Sequence, residues 1–376
     1  MENTLIKVCF VQSFAYSVFN PKSSAKIGGA EVDLYNISTE LAKDRRFKVY
    51  FIVADFGQKD IEVYNNVKVI KSHSFKKTTT NYLKAILLFF RKLRQVNADI
   101  YLTANRSKFV FFTNLYCKIF RKIHIHRTEH INQVEKSLLV KDIGRRSMRS
   151  LFFLLGFMNV DHIIVQNNVY QEKLKRNFGY PSTVIKNSYR IPAKANYQRE
   201  FVLWVARCVA WKRPEIFIDL AQAFPKEKFI MIAPISFEPD FFEKTKLKAE
   251  DVKNLQFIPG VPFSEIDQYY KNAKVFVNTS ESEGFPNSFN QSMNYSTPIL
   301  SLNINPDNFL ETYNVGLCAN GNFNSLKENL NKLLQDKELW NHYSTNAYNY
   351  VFNEMNIEKA IKVWKFIFNY FYKKRL

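Results

Sequence analysis

Two segments of this 376-residue chain carry side chains suited to holding a diphosphate and a sugar. In VLWVARCVAWKRPE (202–215) an apolar run ends at Val205, and Arg207 and Lys212 follow in the loop before a helix-like stretch. Two fixed cations beside a helix N-terminus can bind a pyrophosphate, because the charges and the free backbone N–H groups act on the same oxygens. In NTSESEGFPNSFNQSMNYSTPIL (278–300) Glu283 stands in a loop, and Gly284, Phe285 and Pro286 turn the chain. Asn287 and Ser288 then start a helix whose first N–H groups would face anionic oxygens. Gln291 lies eight residues after Glu283 and can bond a sugar diol through its amide. Each segment alone also reads as ordinary surface cations or a capped acidic loop. Their combination favours the ligand reading.

A second group lies in the first half. Gly28-Gly29 opens a helix, and glycine lets backbone come close to a phosphate or an acceptor; a plain turn is the alternative. KIHIHRTEHIN (122–132) holds three of the six histidines. His124 and His126 share one face of a strand, a pattern that fits packing better than metal ligation. His130 and Glu129 follow the strand end. The four cysteines are scattered without a CxxC pair, and no Asp-x-Asp is present to hold a divalent cation on a diphosphate.

The elements that must position these residues alternate. Apolar runs at 6–11, 48–54, 67–70, 100–103, 123–127, 162–166 and 182–185 read as strands, with helices over 28–43, 82–93 and 168–177 between them. The pattern restarts at 201–205 and continues with strands at 229–233, 255–258, 275–278 and 298–302. Helices are expected at 214–223, 264–272, 286–295, 325–335 and 356–372. Strands alternating with helices predict parallel sheets covered on both faces. The fold class is therefore α/β, with two doubly wound, Rossmann-like parallel-sheet domains facing a central cleft. The first domain is expected over 1–192, a polar linker over 193–200 and the second domain over 201–355, with helix 356–376 packing back on the first.

Gly28-Gly29-Ala30-Glu31, Arg207…Lys212 and Glu283-Gly-Phe-Pro…Gln291, in this order and on these elements, resemble glycosyltransferase family 4. The resemblance implies a GT-B fold, a nucleotide-sugar donor on the second domain, and metal-independent transfer with retention of anomeric configuration. Arg207 and Lys212 would then hold the donor diphosphate, Glu283 the transferred sugar's hydroxyls and Gln291 the ribose. His130 matches a cleft histidine near the transferred sugar, and Glu129 is a weaker candidate for orienting the acceptor. Gln291 replaces the second acid of the family's Glu-x7-Glu motif. An amide still bonds ribose hydroxyls but carries no charge, which excludes a general base at this position.

Composition bounds the partners. Aromatic content of 16% excludes a disordered chain. The N-terminus has Glu2 and no basic stretch before its apolar run, so no secretory signal is expected, and no run reaches the roughly 20 apolar residues of a membrane span. Residues 1–200 hold 34 Lys and Arg against 15 Asp and Glu, whereas residues 201–376 hold 20 against 19. The basic half interleaves its cations with apolar runs in KAILLFFRKLR (84–94), KFVFFTNLYCKIFRK (108–122) and RRSMRSLFFLLGF (145–157). Such helices can lie on an anionic inner-leaflet surface, although each can also simply bury its apolar face in the core. The expected protein is a cytoplasmic, peripherally membrane-associated bacterial enzyme. It would move sugar from a nucleotide-diphosphate sugar, UDP favoured, to a lipid-linked or polysaccharide acceptor, without metal or other cofactor. Alternatives are a soluble or protein acceptor, or a non-catalytic scaffold binding nucleic acid or another polyanion. No recognition module supports nucleic-acid binding.

Overall fold

A computed structural model describes residues 5–20, 23, 28–74, 79–144, 147–262, 265–283 and 285–375; Gly284, Arg145 and Arg146 lie outside these. The chain forms two compact units, one of residues 1–190 with 355–376 and one of residues 191–354.

The first unit is built on β1 (Ile6–Val11), β2 (Phe47–Val53), β3 (Ile61–Tyr64), β4 (Val67–Lys71), β5 (Ile100–Ala104), β6 (Ile123–Arg127), β7 (His162–Val165) and β8 (Ser182–Val184). Their order is β3-β4-β2-β1-β5-β6-β7-β8. All neighbours pair in parallel except β3 with β4. The antiparallel edge strand departs from the expected all-parallel sheet. It escapes a search for continuous apolar runs because Ile61 and Val63 are exposed and alternate with half-buried neighbours. By contrast β5 is buried along its whole length, as a central parallel strand must be.

Strand β1 is flanked by β2 on one side and β5 on the other, so the chain reverses its winding there. Such a switch point opens a crevice outside the strands' carboxyl ends. The helix Gly29–Leu41 follows β1, Lys108–Ile119 follows β5, and the loop of Glu129 and His130 follows β6. The C-terminal helix Ile357–Arg375 belongs to this unit: Phe368 meets Phe47, and Lys365 pairs with Asp44 at 2.8 Å.

The second unit contains β9 (Phe201–Val205), β10 (Phe229–Ile232), β11 (Leu255–Ile258), β12 (Ala273–Asn278), β13 (Ile299–Ser301) and β14 (Gly316–Cys318), ordered β11-β10-β9-β12-β13-β14 and parallel throughout. The switch falls at β9, between β10 and β12. Trp204 fills the core under it, its indole N–H donating to Thr279 Oγ1 at 2.9 Å. Residues 193–200 are tied to this unit rather than left free. Arg199 donates to the carbonyls of Ala273 and Tyr295 at 3.0 and 2.7 Å and to Thr297 Oγ1 at 2.8 Å.

Candidate functional site

In the second unit, the backbone turns sharply after β9. Residues Ala210–Lys212 form a single 3-10 turn, Arg213 sits in the left-handed region at φ 51°, and Pro214 opens the next helix. A bulky residue at positive φ is strained, and such strain persists where the surrounding structure demands it. Here it aims Lys212 inward. The ammonium stacks 4.4 Å from the Trp211 ring centre and pairs with Glu283 at 2.7 Å, the two side chains being 11% and 15% exposed.

Glu283 comes from the loop after β12, the strand beside β9. Its other carboxylate oxygen accepts from Asn278 Nδ2 at 3.0 Å. Two cross-bonds hold the loops together: Thr279 Oγ1 donates to the Lys212 carbonyl at 2.7 Å, and the Glu281 N–H to the Trp211 carbonyl at 2.9 Å. Burial pushes the Lys212 ammonium below the usual lysine range, the Glu283 carboxylate opposes that, and the nearby Arg207 charge adds to it. Arg207 itself is exposed. The result is a cationic pair, one member exposed to solvent and one held, beside a carboxylate and at a sheet's switch point.

The helix after this loop is Asn287–Asn294. Pro286 is its N-cap rather than its first residue, and it supplies no side-chain cap. Phe285 packs edge-on against Phe289 and Phe309, which anchors the turn. Gly284 lies outside the described residues. Gln291 is half-buried, its Oε1 accepting from the Tyr270 hydroxyl at 3.2 Å, which leaves its amide N–H groups as donors. Trp211, Asn278 and Tyr270 were not singled out from sequence. The two aromatic partners carry no chemistry alone, and only the fold brings them to Lys212 and Gln291.

The first unit arranges its residues differently. Gly28 is the N-cap of Gly29–Leu41 with an extended backbone, so its role is space rather than an unusual φ. A Cβ there would lie 2.6 Å from Glu31 Oε2. The Glu31 carboxylate, buried in the helix's first turn, is thus what the glycine accommodates; its other oxygen accepts from Gln12 Nε2 at 2.6 Å. Deeper in, Arg127 is fully buried. It pairs with Asp33 at 2.6 Å and Glu129 at 3.1 Å, and it donates to the Ile185 carbonyl and to Asn187 Oδ1.

Glu129 therefore turns inward, its second oxygen accepting from Gln166 at 2.5 Å, and is not presented to an acceptor. Burial raises its carboxyl to about 8 against the pull of Arg127, and burial likewise raises Asp33. Asn187 has the structural role of holding Arg127.

His130 is exposed and caps the turn Ile131–Gln133. Its Nδ1 accepts from the Asn132 N–H at 3.2 Å, which assigns the ring proton of the neutral form to Nε2. Gln133 Oε1 accepts from both the Glu129 and His130 N–H groups, at 2.5 and 3.1 Å. His124 and His126 each bond Thr103 Oγ1 at 2.9 Å, and burial lowers both below the usual histidine range. They are neutral packing groups behind the His130 loop.

Two family models match the chain: Glycosyltransferase Family 4 over residues 27–190 and Glycosyl transferases group 1 over residues 186–350. An uncharacterised glycosyltransferase of Methanocaldococcus jannaschii is 24% identical, over 91% of this chain and 95% of its own. Among solved structures, sucrose-phosphate synthase from Thermosynechococcus elongatus has a TM-score of 0.76 at 15% identity, covering 98% of this chain and all of that one. Anabaena Alr3699/HepE, solved in complex with UDP, has a TM-score of 0.70 at 16% identity, covering 97% and 100%. At these identities the solved structures establish the fold, which is GT-B, while the two family matches together run through both units. The chain belongs to the family 4 glycosyltransferases and is a transferase enzyme.

Proposed function

We propose that the enzyme transfers a sugar, with retention and without a metal ion, from a nucleotide-diphosphate sugar to a lipid-linked or polysaccharide acceptor in bacterial surface-glycan synthesis. The observation that carries this reading is the Lys212–Glu283 pair at the carboxyl ends of β9 and β12. A diphosphate arriving there takes up Lys212 and Arg207, and fixed cations at the leaving group stabilise charge as it develops. Glu283 is then free to accept from hydroxyls of the transferred sugar, and Gln291 offers its amide donors to the ribose. The bond from C1 to the diphosphate oxygen breaks, and the acceptor oxygen bonds to C1 on the same face. The departing phosphate takes the acceptor's proton, leaving a glycoside and a nucleoside diphosphate. His130 contributes an Nε2–H donor to the sugar. UDP is the favoured nucleotide, since the similar Anabaena protein is described in complex with it.

Peripheral binding to an anionic inner leaflet is supported by the helices Thr79–Val96, Lys108–Ile119 and Met148–Phe157, which pack side by side through Phe90, Phe112 and Phe152. Leu83, Leu87, Ile119, Leu151 and Leu155 stay exposed among Lys84, Arg91, Lys118 and Arg121, while Phe89, Leu93, Phe153 and Phe157 form core. Each cation near an anionic surface contributes about 1 kcal/mol, enough in combination for reversible attachment. Among the described residues no helix is long and apolar enough to cross a membrane.

The test is a calorimetric screen with UDP, GDP, ADP and CMP, with and without EDTA. One diphosphate should bind at micromolar concentration regardless of EDTA. Binding of none of them removes the donor site, and binding that EDTA abolishes removes metal independence.

A further inference from the structure

We infer that the carboxyl edge of the first unit's sheet carries a phosphate-binding site built on Arg106 and Arg149, which receives an anionic group of the acceptor. This rests on the reading of the first unit as the acceptor-binding one. Strand β5 ends at Ala104, and Asn105 follows in the left-handed region at φ 65°. That turn sends Arg106 inward, leaving its side chain 17% exposed. One guanidinium nitrogen, Nη2, donates to Asp142 at 2.5 Å, whereas Nη1 is buried without a hydrogen-bond partner among the described residues. A buried donor left unpaired is costly, and guanidinium donors are seldom left so.

Arg149 approaches the same place from another helix, its Nε donating to the Arg106 carbonyl at 2.7 Å. Burial and then the neighbouring Arg106 charge push its guanidinium below the usual arginine range. An exposed guanidinium, Arg149, thus stands near a mostly buried one, Arg106, and Asp142 pairs with Arg106 alone. A tetrahedral oxyanion supplies several acceptor oxygens at once, satisfies the unpaired Nη1 and relieves the like-charge contact, and arginine's planar fork suits it.

The surrounding helices add to the field without defining the site. Lys108–Ile119 and Met148–Phe157 run in parallel: Phe111 meets Phe152, and Asn114 donates to the Asn159 carbonyl. Gly156 permits the close approach, since a Cβ there would lie 2.6 Å from Phe111 Cα. Both positive helix ends therefore rise at the edge where the arginines sit. Strand β5 also lies between β1 and β6, whose following loops carry Gly28 and His130. A phosphate on Arg106 and Arg149 lies along the same edge as the histidine proposed to meet the transferred sugar. The phosphate can come from a lipid carrier's diphosphate or from a soluble sugar phosphate.

Inorganic pyrophosphate titrated into the full chain already saturated with UDP tests this. We expect binding that weakens at least tenfold in both Arg106→Gln and Arg149→Gln, with UDP affinity unchanged. Arg106→Gln strips Asp142 of its partner and can destabilise the fold; Arg149→Gln leaves that ion pair intact and decides the matter if the first variant unfolds. Geranyl diphosphate and glucose 1-phosphate are then compared, and the tighter ligand names the source. No pyrophosphate binding to the UDP-loaded protein, or equal affinity in Arg149→Gln, overturns the site. Failure of UDP to bind while pyrophosphate binding still depends on Arg149 would instead leave the site standing and break the donor reading.

Discussion

Each unit holds a buried or nearly buried ion pair at the carboxyl end of its sheet, and the two differ in what water can reach. Arg127 with Asp33 and Glu129 is sealed, at 0%, 1% and 7% exposure, and the remaining polar atoms of Arg127 are spent on Ile185 and Asn187. Lys212 with Glu283 is 11% and 15% exposed and has exposed Arg207 beside it. A sealed pair has no means of meeting a ligand, so its contribution is to join β6, the Gly29–Leu41 helix and the 185–188 segment into one body. A pair that a diphosphate can reach is able to exchange partners. Similar chemistry serves architecture in one place and, on the proposed reading, binding in the other, and accessibility separates the two.

Arg127→Met should have the largest effect on stability, about 3–5 kcal/mol, because it leaves the Asp33 and Glu129 carboxyls buried without their guanidinium partner. Denaturant unfolding measures it, and a near-neutral result would mean the cluster opens to water. Lys212→Ala should lower turnover about 100- to 1,000-fold while the unfolding transition stays in place. A parallel loss of stability would make this pair architectural too and erase the contrast.

The pH response sharpens the comparison further. The Glu129 carboxyl is raised from 4.5 to about 8 in the folded protein, so the fold favours its neutral form. Its stabilising contribution is fully present below about pH 4.5 and is lost as pH rises through about 8. Glu129→Gln should therefore flatten the fall in melting temperature between about pH 5 and about pH 8; an unchanged slope would place that titration elsewhere. The smallest effect is expected for Gln291→Glu, within about tenfold in donor KM, or ~1.4 kcal/mol. The Tyr270 hydroxyl can donate to a carboxylate as well as to an amide. A folded but inactive variant would show that the amide donors are required.

Much of the fold was legible because buried parallel strands are written as continuous apolar runs, as in FVLWV at β9, and helix Pro214–Ala223 because proline marks its start. Elements lacking those marks were missed. The edge strand β3 is exposed on alternate residues, β14 is only three residues long, and helix Pro239–Glu250 buries just Phe242, Thr245 and Ala249. At the site, Arg207, Lys212 and Glu283 can be singled out by residue type, but not the contact between Lys212 and Glu283. That contact depends on β9 pairing with β12, and strand neighbours distant in sequence leave no local trace. Sequence alone leaves Gly28 open between a ligand-facing glycine and a plain turn, and makes Glu129 a weaker candidate for orienting the acceptor. The structure gives Gly28 the Glu31 carboxylate and turns Glu129 onto Arg127, because a carboxylate near a buried guanidinium is drawn to it rather than to solvent.

The most direct test of the account is the UDP affinity of the wild-type chain and of Lys212→Ala, measured by calorimetry with the unfolding transition recorded for both. The account predicts micromolar UDP binding that weakens by about 100-fold in the variant, or ~2.7 kcal/mol, with superimposable unfolding curves. Equal affinity in the two proteins would contradict it.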